Sequence, residues 1–407
     1  MTFDIALSGL AAARADLDVT GNNIANSNTT GFKGSRTEFA DVFAESFGGI
    51  SQTAVGNGVR LAAVRQQFQQ GNIESTANTL DLAINGEGFF AVNDGSNLVY
   101  TRDGAFSVNR DGVVVNSRGQ RLQAFPALDD EGTAFNTGGL ADLRLDTAVG
   151  APAASTTVQA GVNFSAEADV LGGTGLDIDP ADAGSFSYTT AVTVYDSLGA
   201  SHTATAFARR TDDLSYAMRL FVDGADLGTG ELDFSTRGEL TSPQPLAFPG
   251  SFTPPNGGDP LSLEYDFSGS TLFGSGFSIN DLRQDGFTTG RLAGVEVAGT
   301  GELLARYTNG RSVALGKIAL ASFENAEGLQ KVGDNAWAES FESGEAQLGE
   351  AGTSNLGAIQ SGGLESSNVD LSEQLVRLIT AQRTFQANSQ VISAADQITQ
   401  TAINIGR

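Results

Sequence analysis

The chain has 407 residues, 40% of them hydrophobic, and a formal net charge of −25 from 48 Asp plus Glu against 23 Lys plus Arg. That balance argues against nucleic acid and anionic membrane surfaces, which need clustered cations, and the length exceeds what one hydrophobic core usually fills. Cysteine is absent and His202 is the only histidine, which excludes disulfides, thiolate nucleophiles and any metal site built from several histidines.

The first predicted element is an amphipathic helix. Phe3, Leu7, Leu10, Arg14, Leu17, Gly21 and Ile24 recur at steps of four and three, the period of a coiled coil, with Arg14 and Gly21 interrupting an otherwise apolar stripe. The helix is expected to end near Asn26, where NSNTTG and Gly31 favour turns. Asp4, Arg14, Asp16 and Asp18 break up the same segment, so no cleavable secretory signal is expected, and no apolar run approaches the roughly 18 residues of a membrane span. Residues 31–80 read as an extended connector.

From about 80 to 320 the period is two. DLAINGEGFFAV (81–92) gives a strand, a Gly turn and a second strand, FSVNRDGVVVN (106–116) a hairpin at Asp111-Gly112, and LLARYTNGRSVALG another at Asn309-Gly310. Residues 145–290 hold only five arginines against 19 acidic residues, a balance of −14, whereas residues 1–40 are nearly neutral. Within this acidic stretch YAMRLFV places Tyr216, Met218, Leu220 and Val222 on one strand face, and LSLEYDF does the same with Leu261, Leu263, Tyr265 and Phe267. Pro- and Gly-containing segments at 148–155 and 285–294 bracket it as linkers. His202 is expected in an exposed loop or at a strand end rather than in a catalytic triad. Asp212-Asp213 and the Asp177/Asp179 pair would be the carboxylates of a rival secreted β-sandwich glycan-binding or hydrolytic protein, and solvated turns account for them as well.

The C-terminal segment returns to a helical period. Asp370 is placed as an N-cap with Glu373 three residues on. Leu371, Leu378, Phe385 and Ile392 follow at steps of seven beside Leu375, with Val391, Ile398 and Ile405 on an adjacent line. Gln382, Ser389 and Asp396 interrupt the apolar surface. Without Gly or Pro before Gly406, this helix should run about 50 Å.

Four segments in order resemble the axial proteins of the bacterial flagellum, the family of rod, hook and hook-associated subunits. They are SGLAAARADLDVTGNNIANSNTTGFK (8–33), DLAINGEGFFAV, YTRDGAFSVNRDGVVVNSRGQRLQ (100–123) and GGLESSNVDLSEQLVRLITAQRTFQANSQVISAADQITQTAINI (362–405). Asn22, Asn23, Asn26, Gly31, Phe32 and Lys33 carry the first motif, and Gly86, Gly88, Phe89 and Phe90 the second. Within the family, Gly31-Phe32-Lys33 and the large acidic insert resemble hook subunits more than distal rod subunits, which are the same-class alternative. The resemblance implies a non-enzymatic, extracellular subunit without cofactor or metal. Such a subunit polymerises with copies of itself into a curved hollow tube, a universal joint transmitting torque from rod to filament. Its implied partners are the rod subunit, hook cap, hook-associated junction proteins and type III export apparatus, with no nucleic acid and no membrane insertion.

The expected architecture is a multidomain α plus mainly β protein, with N- and C-terminal amphipathic helices packed as a coiled coil around two nested antiparallel β domains. Residues 1–30 and 364–407 would form the helical domain, 81–145 and 291–363 the first β domain, and 146–290 the inserted acidic one. Phe3, Leu7, Leu10, Leu17, Ile24, Leu371, Leu375, Leu378, Phe385, Ile392, Ile398 and Ile405 are the expected subunit-assembly stripes.

Overall fold

The computed structural model describes residues 2–42, 56–129, 132–145, 150–353 and 355–405. They divide into two compact units: one formed by Met1–Asp146, Gly294–Arg306 and Ser312–Arg407, the other by Thr147–Ala293 with Tyr307–Arg311. The second unit therefore takes the tip around Asn309-Gly310, which sequence reading placed with the surrounding β domain.

In the first unit, helix α1 (Thr2–Ala25) and helix α2 (Leu371–Ile405) lie side by side. They run antiparallel, since Asn23 meets Gln374 and Gly9 meets Asn388. Asp370 caps α2 as expected, its Oδ1 accepting the Ser372 and Glu373 N–H groups at 2.7 and 3.1 Å. Glu373 turns forward to Arg377 at 2.7 Å, an i,i+4 pair.

The expected extended connector is instead largely a hairpin. Strands β1 (Ser35–Asp41) and β2 (Val59–Gln66) pair antiparallel and pack on α1. Period-two alternation is present here too, with Ser35, Thr37 and Phe39 on the helix side and Arg36 and Glu38 opposite, but charge and small residues blur its apolar contrast. The Thr37 hydroxyl bonds the Asp16 carboxylate and Val59 N–H bonds Ser8 Oγ at 3.2 Å, fixing the hairpin along the helix.

A twelve-stranded sheet, with Phe89–Asn93, Arg121–Pro126 and Ser312–Ser322 at its centre, and two two-stranded pairs, Leu82–Asn85 with Ala358–Ser361 and Ile73–Ser75 with Gly363–Glu365, complete the strands of this unit. The two strands of DLAINGEGFFAV do not pair with each other: Leu82–Asn85 pairs with Ala358–Ser361, and Phe89–Asn93 with Leu98–Thr101. Gly86 and Gly88, at φ of +122° and +120°, make that crossing. Phe106–Val108 and Val114–Asn116 form the expected hairpin, its turn closed by Asn109 Oδ1 on the Asp111 and Val113 N–H groups. Trp337 is buried against Phe68 and Phe89, edge to face at 5.4 and 5.7 Å.

The second unit is a β-sandwich. One sheet has four antiparallel strands, Tyr188–Tyr195, Ser201–Asp212, Ser215–Val222 and Ala225–Asp233. The other is mixed, because Thr157–Ser165 pairs parallel with Glu264–Asp266 and Thr271–Phe273 and antiparallel with Ser278–Gln284. Their inner faces enclose one core that contains all eight residues read from YAMRLFV and LSLEYDF. The segments read as linkers are laddered together, Gly150 with Gly290 and Ala153 with Phe287.

Candidate functional site

The helix pair divides the predicted stripes into two sets. On α1 the buried line is Ala6, Ala13, Thr20 and Asn23, with Leu10, Leu17 and Ile24 half-buried beside it. On α2, Gln374 and Ala381 are buried and Asn388 and Ala395 half-buried, with Leu378, Phe385 and Ile392 half-buried on the alternate line. Together these give the four-three spacing of a coiled-coil seam on each helix. One of its two lines is small or polar, which is why a search for large apolar residues finds only the other.

Small residues line the contact between the helices. A Cβ at Gly9 would lie 2.8 Å from Asn388 Oδ1, so the absence of a side chain at Gly9 makes room for the Asn388 amide between the helices. Asn23 fixes the other end. Its amide donates to Ser35 O at 2.8 Å and Gln374 Oε1 at 3.2 Å and accepts from Ser35 N–H at 2.9 Å.

The remaining predicted residues stay outside the seam. Phe3 is 49% exposed, Leu7 50%, Leu375 46% and Ile398 69%. Leu371, Val376, Ile379 and Val391 are exposed as well, and so are Arg14, Gln382, Ser389 and Asp396. Phe3, Val391 and Ile398 line an open groove of about 600 Å³ toward one end of the pair. A second groove, of about 420 Å³, runs between α1, α2 and the hairpin and is lined by Ala12, Phe39, Val59 and Thr384 among others. The side chain of Ile405 and the whole of Gly406 lie outside the described residues.

Beyond α1, Lys33 and Gly31 both bond Glu365, Lys33 at its buried carboxylate and Gly31 at its backbone carbonyl. Lys33 Nζ donates to its Oε1 at 2.7 Å and to Gln69 O at 2.8 Å, Gly71 N–H donates to the same Oε1 at 2.8 Å, and Arg102 reaches Oε2 at 3.2 Å. Lys33, Glu365 and Arg102 are all buried. Desolvation pulls the Lys33 ammonium down from its usual value against the stabilising charge of Glu365, and burial lowers the Arg102 guanidinium in the same way. Gly31, at φ +68°, brings its N–H to Glu365 O at 2.8 Å, and a Cβ there would sit 2.5 Å from Asp103 N. Phe32 is buried beneath Lys331, while Asn26 ties back to Asn22 O at 2.9 Å. Gly86 O accepts from Arg102 at 2.9 Å, and Phe89 and Phe90 are buried in the sheet.

Sequence reading singled out neither Glu365 nor Asn368, whose amide bonds Gly34 N–H, Gln67 O and Gln69 O. Both lie inside the quoted GGLESSNVDLSEQL segment, but only long-range contacts reveal that this stretch latches the chain just beyond α1 to the chain just before α2.

Three of the four carboxylates of the rival reading bond nearby backbone N–H groups, and the fourth, Asp213, is exposed with Arg210 at 3.9 Å. Asp177 Oδ2 accepts from Thr174 N–H at 2.7 Å, Asp179 Oδ1 from Ala181 N–H at 2.9 Å, and Asp212 Oδ1 from Asp213 N–H at 2.7 Å. Among the described residues no group of three or more His, Cys, Asp or Glu is placed to hold a metal. His202 does lie in a strand, but it is buried rather than exposed, because carboxylates face both ring nitrogens.

Family models match the chain in four places. Residues 3–33 match the flagella basal body rod protein, residues 83–163 the flagellar hook protein FlgE/F/G D1 domain, residues 128–287 the flagellar basal body protein FlaE D2 domain, and residues 360–405 the flagellar basal body rod FlgEFG protein C-terminal. The flagellar hook protein FlgE of Salmonella typhimurium is 35% identical over 411 residues, covering 100% of both chains. That of Escherichia coli K12 is 35% identical over 412 residues with the same coverage, and that of Borreliella burgdorferi 34% over 437 residues, covering 98% of each. The crystal structure of Helicobacter pylori flagellar hook protein FlgE2 shares the fold, with a TM-score of 0.56 over 72% of this chain and 100% of that one at 14% identity. A terminal helix pair latched to a β unit, an acidic β insert and full-length similarity to hook proteins lead to one conclusion: the chain belongs to the flagellar hook protein family.

Proposed function

We propose that this chain is a structural subunit of the bacterial flagellar hook, joining copies of itself through the apolar lines that α1 and α2 leave in solvent. One observation carries the second part of this reading: after the helices have paired, Phe3, Leu7, Leu371, Leu375, Val376, Ile379, Val391 and Ile398 are still exposed. Covering the remaining half of such side chains contributes about 1 kcal/mol each, as an upper estimate. Eight of them on two helices therefore supply a substantial drive for association. Leu10, Leu17, Ile24, Leu378, Phe385 and Ile392 act one step earlier, by holding the pair together so that the outer lines are presented.

The role is structural rather than catalytic. In the flagellum the subunit would meet the rod at one end, the hook-associated junction proteins at the other, and the hook cap and type III export apparatus during growth. A curved hollow tube that transmits torque needs contacts that hold and contacts that yield. The inserted acidic unit suits the second role, because like-charged copies repel and resist permanent close packing. A seam with one small, polar line suits a chain that is threaded before it assembles, since a single helix is marginal alone and gains its stability from packing.

The test is a double change, Leu7→Asp with Leu375→Asp, followed by electron microscopy of the purified chain under conditions where the parent forms tubes. The expected result is a folded monomer with unchanged circular dichroism and no tubes. Tubes of normal length from the double variant would overturn the assignment of these lines.

A further inference from the structure

His202 is the second residue of the second strand of the inserted unit's four-stranded sheet, and three separate segments converge on it. Its Nδ1 lies 2.7 Å from Asp223 Oδ2, in the turn between Ser215–Val222 and Ala225–Asp233. Its Nε2 lies 3.2 Å from Asp196 Oδ2, in the turn between Tyr188–Tyr195 and Ser201–Asp212. From the third segment, Phe252 stands edge to face on the ring at 4.9 Å, and Asn256 donates to the same Asp196 oxygen. That segment's own carboxylate, Asp259, belongs to the residue whose backbone N–H bonds Ser197 Oγ at 2.9 Å.

An ionised carboxylate only accepts hydrogen bonds. A ring with carboxylate oxygens against both nitrogens is satisfied only when both carry hydrogen, as imidazolium. Neutral imidazole would turn a lone pair toward one of the two carboxylates and leave two negative charges at the cluster without a cation.

The turns held in this way belong to the end of the unit where its connecting segments run. Asp196 Oδ1 accepts the Leu198 and Ala200 N–H groups at 2.9 and 2.8 Å, and Asp223 Oδ1 accepts Thr203 N–H at 2.9 Å. Gly199, at φ +82°, sits so close to the ladder of 150–155 with 285–290 that a Cβ there would meet Pro152 Cβ at 2.8 Å and Thr288 Cα at 3.3 Å. Asn309 Nδ2 donates to Thr288 O at 2.8 Å, and Ser155 N–H to Tyr195 O at 2.9 Å.

We propose that Asp196, His202 and Asp223 form a proton-dependent clamp on the root of the inserted unit, fastened while His202 carries both protons and loosened when it gives one up. Burial disfavours the imidazolium, but hydrogen bonds and charge from Asp223 and Asp196 outweigh it and raise His202 above its usual 6.5. Burial likewise opposes the charge on Asp196, yet the bonds from Asn256, Ala200, His202 and Leu198 hold its carboxyl at about 2, and Thr203 and His202 lower Asp223. With the histidine raised in the folded state, its contribution is fully present below about pH 6.5 and lost as pH rises through the higher folded midpoint. The lowered carboxylates contribute above their ordinary range and lose that contribution in acid. The clamp is therefore tightest between about pH 4 and 6.5.

Because His202 is the only histidine, its Cε1–H resonance in the labelled full-length chain reports the clamp alone. The native midpoint should lie above that of the urea-unfolded chain, each unit of separation being a tenfold change in the folding equilibrium, and Asp223→Asn should lower it. A native midpoint at or below the unfolded one overturns the proposal. The second readout is amide exchange at Leu198, Ala200 and Thr203, corrected for intrinsic rate. Protection should fall between pH 6 and pH 9 in the parent and stay flat in His202→Gln. An equal fall in both chains would remove the histidine from the mechanism. If His202→Gln does not fold, the native titration decides alone.

Discussion

Phe164, Tyr216 and Tyr265, at the centre of the inserted unit, are almost wholly enclosed, whereas Phe3 and Leu7 at the start of the chain keep half their surface in solvent. The two regions are built to different ends. The sandwich fills its interior with aromatic rings, Phe164 meeting Tyr216 at 4.9 Å and Tyr216 OH donating to Ser165 O at 2.8 Å, while Leu176, Leu198 and Phe273 remain exposed at its surface. The helix pair spends its small and polar residues on the intramolecular seam and leaves many of its large apolar ones outside. The aromatic core closes within a single chain, whereas the helix pair keeps large apolar residues in solvent, the surface proposed above to be covered by copies.

The strongest way to break that contrast is in the sandwich. Phe164→Ala should destabilise the inserted unit by about 3–5 kcal/mol, as truncation of an enclosed aromatic does, and denaturant unfolding followed by tyrosine fluorescence measures it. A loss under about 1 kcal/mol would mean the core is looser than its packing indicates. A smaller effect is expected at the seam. Gly9→Leu displaces the Asn388 amide from the helix contact and should cost about 1 kcal/mol, the low end of the range for overpacking, read as lost amide protection in α1 and α2 with the Trp337 signal unchanged. The smallest stability effect belongs to the outer lines. Leu7→Asp and Leu375→Asp should each change monomer stability by no more than about 0.5 kcal/mol while abolishing tubes.

Sequence reading served these regions unequally, for physical reasons. The sandwich was legible because period two and large residues coincide: Tyr216 to Val222 and Leu261 to Phe267 each show their buried face outright. Both helices were legible as well, down to the Asp370 cap. Only one line of the seam is legible, that of Leu10, Leu17, Ile24, Leu378, Phe385 and Ile392, because Ala6, Ala13, Gln374 and Ala381 carry no hydrophobic contrast, and the predicted stripe mixes that line with residues of the open surface. The hairpin of β1 and β2 was missed because Arg36, Glu38, Arg60 and Arg65 mask its alternation. The Lys33–Glu365–Arg102 cluster joins residues more than 260 positions apart, a pairing no local pattern encodes.

The absence of native cysteine makes the central claim directly measurable. A single thiol introduced as Leu375→Cys should react rapidly with a maleimide probe in the free chain and at least tenfold more slowly in assembled tubes. An equal rate in both states would show that the outer line of α2 remains in solvent after assembly and would contradict the account.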